Sequence, residues 1–439
     1  MTSPSTHIDL EACLGRAYDA ARRAATVYGA PALIFAESGH LRSTGYSFTR
    51  RGGEGARWAS RWSGVRSEVS GASSLRFTWR DGLDEPSWAA VVQGQAPSAG
   101  SASERPFRGE PVHEELTDDD LLVRRLVDAA SAASRFKVVE AEVRRLERAV
   151  LVCRDDGSPV LRREQGARWR LRILPDGAGP FEWTACEMPD VPEAWAITAV
   201  ESVLDRGRKF DRSDLPKWVW LAPAAAAVWL HEVIGHTMEA DYPVAPAADG
   251  RVAALEVWTV PFRAGATDDE GHPERRIRLV GAGSGSMRLN DAFHASQSGL
   301  PLTGNGRRQD FRYPVLPRIG ALRAERISGP FPSDLMEEGP VMRVDSIIAG
   351  RVDPTTHRFA LEVGRAEILD GAERTVPTTG IRLVGDVATA LAGIRAVGRE
   401  SAPDDPAAWP RRLCLKQGQV VETANFSPTL LLEGLEVVE

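Results

Sequence analysis

Apolar positions near the start of the chain follow a helical period, and those after it break into strand-like runs. Leu10, Cys13, Leu14, Ala17 and Ala21 recur at helical spacing, which predicts a first helix that stops near Gly29–Pro31. From Ala32 to about Gly94 the pattern predicts short strands separated by Gly and Ser clusters, for example residues 75–79 and 88–93. Residues 95–112, rich in Pro, Ser and Gly, read as a long surface loop. Thr117 ahead of Asp118, Asp119 and Asp120 suits an N-cap with acidic residues on the positive end of a helix that runs to about Ser134. Strands follow at residues 138–143 and 149–153. A turn at 155–157 leads to strands at 167–174 and 181–186, and a further helix is expected over 192–206.

The pattern changes at residues 208–216, where Arg208, Lys209, Asp211, Arg212 and Asp214 form a polar bridge. We place a domain boundary there, giving an N-terminal domain of residues 1–210 and a C-terminal domain of 211–439. The fold class expected is α+β. The first domain combines helices with a mostly antiparallel sheet, and the second is strand-rich. Its turns are expected at 269–271, 281–285 and 370–371, and no repeat of fixed period stands out. The longest apolar run, residues 218–230, contains Pro223 and is closed by His231. It is too short to cross a bilayer comfortably, which needs about 20 residues. It reads instead as a helix that begins near Pro223.

Composition adds exclusions. A chain of 439 residues that is 43% hydrophobic and 26% charged is an ordinary soluble protein with room for two cores. A net charge of −7 supplies no bulk attraction to phosphate and argues against direct nucleic-acid binding. The polar start shows no secretory signal. Cys13, Cys153, Cys186 and Cys414 lie far apart with no CxxC, so neither a disulfide framework nor a zinc ribbon is indicated, and a reducing cytoplasm fits best.

The chemistry is concentrated in Leu230-His231-Glu232-Val233-Ile234-Gly235-His236-Thr237-Met238-Glu239-Ala240-Asp241. Two imidazoles bracket a carboxylate, and zinc takes neutral imidazole nitrogens while a nearby carboxylate can take a proton from an activated water. In the common zincin motif the histidines are four apart and share a helix face. Here they are five apart, and a regular α-helix would turn them about 140° from each other. Both reach one ion only if the helix widens into a π-bulge, a feature frequent at functional sites. Gly235, lacking a Cβ, would ease that distortion or admit another backbone. The alternative is a buried helix with two incidental histidines.

The run HEVIGHTMEAD resembles the HExxxH signature of the TldD/PmbA family, and the likeness continues in matching order along the chain. Asp268-Asp269-Glu270-Gly271 resembles the family's DDEG segment, and Leu302-Thr303-Gly304-Asn305 its TGN segment. Residues 350–359, GRVDPTTHRF, resemble its strand–turn–strand. Cys414-Leu415-Lys416-Gln417-Gly418-Gln419 resembles its CGKxGQ motif, ahead of a final strand at 430–438. The likeness is firm from about residue 120 and looser before it. It implies that His231, His236 and Cys414 hold a Zn2+ ion, with Glu232 the catalytic carboxylate of a peptidase acting on peptides and unfolded segments. It also implies a dimer, with a metal-free homologue more than with itself. Leu415 replaces the family's Gly after the cysteine, and Thr237 and Met238 replace small residues; these departures leave every implied ligand in place. Two rival readings come with the likeness. One is a metal-free binding or regulatory subunit, and the other is the older label of DNA gyrase modulator.

Other candidates carry plainer readings. Glu239 is either an acceptor supporting His236 or a solvent-facing helix residue, and Asp241 is a helix-end or turn residue. Asp268, Asp269 and Glu270 read as a hydrated turn ahead of a second cation site. His272 and His294 lack ligand spacing. Cys13, Cys153 and Cys186 read as inert buried thiols, and Trp218 and Trp220 as packing at the domain junction. The GAGSG run at 281–285 lacks the lysine and strand-to-helix context of a phosphate loop.

Overall fold

The computed structural model describes residues 13–28, 32–49, 52–70, 75–81, 87, 93, 110–111, 118–132, 136–156, 159–175, 181–185, 196–197, 208–209, 216, 218–243, 254–281, 287–338, 340–369, 375–403 and 411–438. The architecture is α+β and strand-rich. The chain forms two compact units, one of Met1–Glu201 with Asp269–Gly271 and Arg308–Val315, the other of Ser202–Asp268, His272–Arg307 and Leu316–Glu439.

In the first unit, α1 (Leu14–Tyr28) precedes β1 (Ala32–Thr49), β2 (Gly52–Ser70), β3 (Leu75–Asp81) and β4 (Glu110–Pro111). Then come α2 (Asp118–Ala132), β5 (Phe136–Arg154), β6 (Val160–Pro175) and β7 (Phe181–Ala185). The sheet order is β3-β2-β1-β5-β6-β7, antiparallel throughout, with β4 pairing β2. Three expectations are corrected here. The strand expected at 75–79 is β3, but the Gly and Ser positions between Ala32 and Thr49 do not end β1, nor do those between Gly52 and Ser70 interrupt β2. Gly39 pairs with Trp62 and Gly45 with Ala56 inside one long hairpin, whose ladder hydrogen bonds are indifferent to the side chain. The strands expected at 138–143 and 149–153 are one strand, because Arg144–Arg148 continue its pairing. Of the expected surface loop, Glu110–Pro111 instead pair with β2. Thr117, Cys186, residues 88–92, and all but 196–197 of the helix expected at 192–206 lie outside the described residues.

Alternation sorts the faces of this sheet. Ala17, Ala20 and Ala21 of α1 pack with Ile34, Ala36, Leu151 and Cys153. Val123, Leu126 and Val127 of α2 pack with Val139, Ala141, Val143 and Trp169. Cys13 and Cys153 are buried in the first of these clusters. The opposite face, carrying Leu33, Phe35, Val150 and Val152, is covered by Phe311. Ions fasten that covering segment. Arg308 makes a two-pronged bond to Glu68 at 2.8 and 3.0 Å, and the Phe311 amide donates to Glu37 at 3.0 Å. Asp269 is buried and pairs with Arg162. The acidic segment is therefore not a hydrated turn: Asp268, Asp269 and Glu270 are all buried, and Asp268 accepts from the amides of His272 and Gly306.

The second unit begins with β8 (Arg208–Lys209), β9 (Trp218–Leu221) and α3 (Pro223–Leu230). Strands β10 (Leu255–Val260), β11 (Ile277–Val280), helix α4 (Ala292–Ser298), β12 (Gly306–Arg307), β13 (Leu316–Pro317) and β14 (Ala321–Arg326) follow. The remainder comprises β15 (Val341–Asp353), β16 (Arg358–Leu369), β17 (Thr375–Thr379), β18 (Arg382–Asp386), α5 (Val387–Ala392), β19 (Ile394–Val397), β20 (Arg411–Lys416), β21 (Gln419–Phe426), β22 (Leu430–Leu432) and β23 (Glu436–Val438). The final strand expected at 430–438 is thus two strands, parted by a turn in which Gly434 has φ 79°. One sheet runs β11-β10-β14-β21-β20; the other runs β19-β22-β9-β15-β16-β17-β8, with β18 on β16 and β23 on β18. Residues 282–285 and 370–371 of the expected turns lie outside the described residues. Trp218 packs with Val341, Ala396 and Leu431.

A single apolar core joins both sheets through α3. Pro223 opens this helix, where its missing N–H costs nothing. Ala225 through Leu230 are buried all round, as expected of a central helix rather than a surface one. Full burial of side chains such as Leu230, Val233 and Ile234 contributes about 1.5–3 kcal/mol each, which holds the following turn rigidly. Among the described residues no helix is long and apolar enough to cross a membrane.

Candidate metal centre

Helix α3 does not continue regularly past Leu230. Residues His231–Gly235 form a π turn, in which the His236 amide donates to the His231 carbonyl, and His236–Met238 close it with a 3-10 turn. The wider turn brings the two imidazoles together despite their five-residue spacing, with ring centroids 4.7 Å apart and planes at 80°. The nearest neighbours of an added Cβ at Gly235 are side-chain atoms. A Cβ there would lie 2.4 Å from Ile319 Cδ1 and 3.0 Å from Leu322 Cδ1. Thr237, which departs from the family pattern, is buried. Its hydroxyl donates to the carbonyls of Val233 and Ile234 at 2.9 and 3.0 Å, satisfying groups that the widened turn disturbs.

Cys414 arrives from the β20–β21 hairpin. Gln417 and Gly418 both have positive φ, 49° and 77°, the conformation of a tight two-residue turn. Alternation along β20 buries Cys414 and Lys416 while leaving Leu413 and Leu415 54% and 69% exposed. The hairpin is pinned from behind by buried Arg318, whose guanidinium donates to the carbonyls of Cys414 at 2.8 Å and Gln419 at 3.4 Å. Cys414 Sγ lies 3.3 Å from His236 Nε2, and donor atoms of His231, His236 and Cys414 all fall within 4.8 Å of one another. Zn–S and Zn–N bonds of ~2.3 and ~2.0–2.1 Å at a tetrahedral angle put such donors roughly 3.5 Å apart. The donor set fits a zinc ion in both type and spacing.

The other ring nitrogens are committed. His236 Nδ1 meets Glu239 Oε2 at 2.8 Å, and His231 Nδ1 lies 3.3 Å from Asn425 Nδ2. Glu239 is wholly buried, which removes the solvent-facing reading. It also accepts from Lys416 Nζ at 2.9 Å and from the Ile319 amide at 3.2 Å. Lys416 in turn donates to Asp241 at 2.7 Å and to the Pro317 carbonyl at 3.0 Å, and stands 4.3 Å from the Tyr242 ring. Asp241 sits in the turn after the 3-10 segment.

Burial alone would push the Cys414 thiol up. Its hydrogen bonds to His231 and His236, with their charge, outweigh burial and bring it down to about 5. Burial would likewise depress His236, but Glu239 and Cys414 hold it well above its ordinary value. Glu239, although buried, is drawn down to about 2 by His236 and Lys416. The centre is therefore organised around a thiolate, the form in which cysteine binds metals.

Glu232 follows His231 and is 8% exposed. Its side chain lies against Gly350 of β15, where a Cβ would come within 2.6 Å of Glu232 Cγ and 3.0 Å of Oε1. Just before Gly350 the pairing of β15 with β16 shifts register at Val344/Ser346, Ser346/Ile347 and Ile347/Ala349. Such irregularities re-aim a strand beside a site. His272 and His294 are not in the cluster; His294 Nδ1 bonds Asp291 at 2.7 Å at the start of α4. Sequence reasoning did not assign roles to Gly350, Lys416 or Asn425. Lys416 stands inside a quoted motif, whereas nothing in the local pattern marks Asn425.

Residues 254–439 match the family model described as PmbA/TldA metallopeptidase C-terminal domain. The histidine pair lies upstream of that match. A metalloprotease TldD homologue from Buchnera aphidicola is 25% identical over 48% of this chain and 45% of its own length. A zinc metalloprotease TldD homologue from Saccharolobus solfataricus is 24% identical over 50% of this chain and 51% of its own. The chain thus spans about half the length of the curated relatives it matches. The crystal structure of TldE from Thermococcus kodakarensis shares the fold at TM-score 0.63, with 15% identity over 93% of this chain and 97% of that one. Residues 254–439 of this chain thus match the C-terminal domain of the TldD/PmbA family, and that match, with the similarity to TldD homologues, supports this family for the chain.

Proposed function

We propose that this chain is a zinc-dependent peptidase that hydrolyses unstructured peptides or unfolded segments. The reading rests on one observation: a buried His231–His236–Cys414 donor set, with Glu232 next to its first member. When bound, zinc supplies a Lewis acid that polarises the scissile carbonyl and brings the pKa of water toward about 7. Glu232 takes the proton of the attacking water and returns it to the leaving amine. Glu239 orients His236, and Lys416 holds Glu239 in place. Strand β20 ends its sheet among the described residues and carries Cys414. A peptide pairing with it as an added strand would lie beside the centre, with main-chain hydrogen bonds giving sequence-tolerant affinity.

The retained donors favour an active chain over a metal-free regulatory subunit. Its partner in this reading is a metal-free homologue in a heterodimer, with a homodimer the alternative, in a reducing cytoplasm that suits a free thiolate. The test is Glu232→Gln, which keeps size and removes the base. The variant should retain about one zinc per chain and lose nearly all hydrolysis of an unstructured peptide. Turnover near the wild-type rate would refute the mechanism.

A further inference from the structure

Asn425 sits on β21, 3% exposed, with its side chain facing His231. Its Nδ2 is 3.3 Å from His231 Nδ1 and 3.3 Å from Thr423 Oγ1, while Oδ1 is buried without a hydrogen-bond partner among the described residues. A buried, unpaired amide oxygen costs about 1–3 kcal/mol. A valine or leucine would fill the place without that cost, so the amide calls for a reason of its own.

The reason lies in the two faces of one imidazole. With Nδ2 toward it, His231 Nδ1 must present a lone pair, and in the neutral ring the proton then sits on Nε2. Nε2 is also the nitrogen left for a metal once Nδ1 is committed to Asn425. A metal-bound Nε2 carries no proton, so the neutral ring must bear it on Nδ1 and needs an acceptor there. Asn425 holds that acceptor one half-turn of its amide away. On the zinc reading above, we infer that Asn425 is a positioning residue for His231, turning Oδ1 to accept from Nδ1–H when the metal is bound.

The test uses the full chain. Zinc affinity is measured by chelator competition for wild type, Asn425→Leu and Asn425→Asp, beside thermal melting of each metal-free protein. Asn425→Leu, similar in size but with no acceptor, should lose about 10–100-fold in zinc affinity. Asn425→Asp keeps an acceptor and should stay within a few-fold of wild type. Nitrogen-15 spectra of histidine-labelled wild type should place a proton on His231 Nδ1 only in the zinc-loaded protein, a signature that a purely structural role would not produce. If Asn425→Leu does not fold, the spectra of the wild type decide alone. Wild-type zinc affinity in a folded Asn425→Leu, or an unprotonated Nδ1 in loaded wild type, overturns the inference while leaving the peptidase reading intact. A folded wild type that takes up no zinc overturns both.

Discussion

Gly350→Ala tests whether the catalytic carboxylate depends on the strand behind it. The added methyl carbon would stand 2.6 Å from Glu232 Cγ and 3.0 Å from both Cδ and Oε1. Carbon atoms rest at about 3.5–4.0 Å, so the Glu232 side chain must withdraw by roughly 1 Å. Productive geometry tolerates only about 0.5 Å, and a displacement of ~1 Å can cost about 100-fold in rate. The effect on folding runs partly the other way. Alanine in a strand gains ~0.5–1 kcal/mol over glycine, against an overpacking cost of about 1–3 kcal/mol. The expected outcome is a kcat lower by about 100-fold, a KM changed little, and zinc content equal to wild type, because the three atoms nearest the new methyl all belong to Glu232. Placing Gly350→Ala in a Glu232→Gln background should lower the residual rate no further, since the displaced group is already chemically silent. A folded, zinc-loaded Gly350→Ala enzyme within ~3-fold of wild-type kcat would refute this reasoning.

Two further outcomes follow from the same structure. Cys414→Ser removes the thiolate from the donor set and should weaken zinc binding by more than the ~10–100-fold typical of outer partners; full zinc occupancy in that variant by elemental analysis would show that Cys414 is not a ligand. In the first unit, Arg308 and Arg66 draw the buried Glu68 carboxyl below its usual 4.5 against the opposing pull of burial. A depressed carboxyl contributes stability that is fully present above pH 4.5 and is lost as pH falls through its folded value. Glu68→Gln should therefore cost about 3–5 kcal/mol at pH 7 by leaving two buried arginines without their carboxylate. The gap to wild type should narrow as pH is lowered below about 4.5 in urea titrations, and a gap independent of pH would show that the ion pair is not its source.

What was legible in the sequence follows what each signal physically depends on. The five-residue histidine spacing is incompatible with one ion on a regular helix, so the residues themselves demanded a widened turn, and His231–Gly235 form one. Helix starts were legible for the same local reason, with Pro223 opening α3 and Asp118–Asp120 opening α2. Strand ends were not. Glycine and serine inside β1 and β2 look like breaks when read alone, but a ladder of backbone hydrogen bonds carries the strand through them. Glu239 could not be decided locally because its burial depends on Ile319, Lys416 and His236, which lie on three separate segments. The acidic segment at 268–270 was misread for a similar reason. Beside the local amide of residue 272, its carboxylates are matched by Arg162 and by the amide of residue 306, both far away along the chain.

The line from Lys416 through Glu239 to His236 shows why such long-range partners matter to the chemistry. A buried carboxylate is costly unless it is paired and hydrogen-bonded, and Glu239 has an ammonium, an imidazole and a backbone amide around it. Lys416 is balanced in turn by Asp241, so positive charge is not left to compete with a metal for His236. Lys416 and Cys414 lie two residues apart on β20 and therefore share one face of the strand. The hairpin that delivers the thiolate thus also delivers the cation that fixes the carboxylate behind the histidine. Shifting β20 by one residue in its pairing would turn both side chains away and bring Leu413 and Leu415 inward. The positive φ of Gln417 and Gly418 and the hold of Arg318 on Cys414 and Gln419 guard against that slip. Ligand geometry and ligand electrostatics at this centre are consequently set by a single feature, the register of one hairpin.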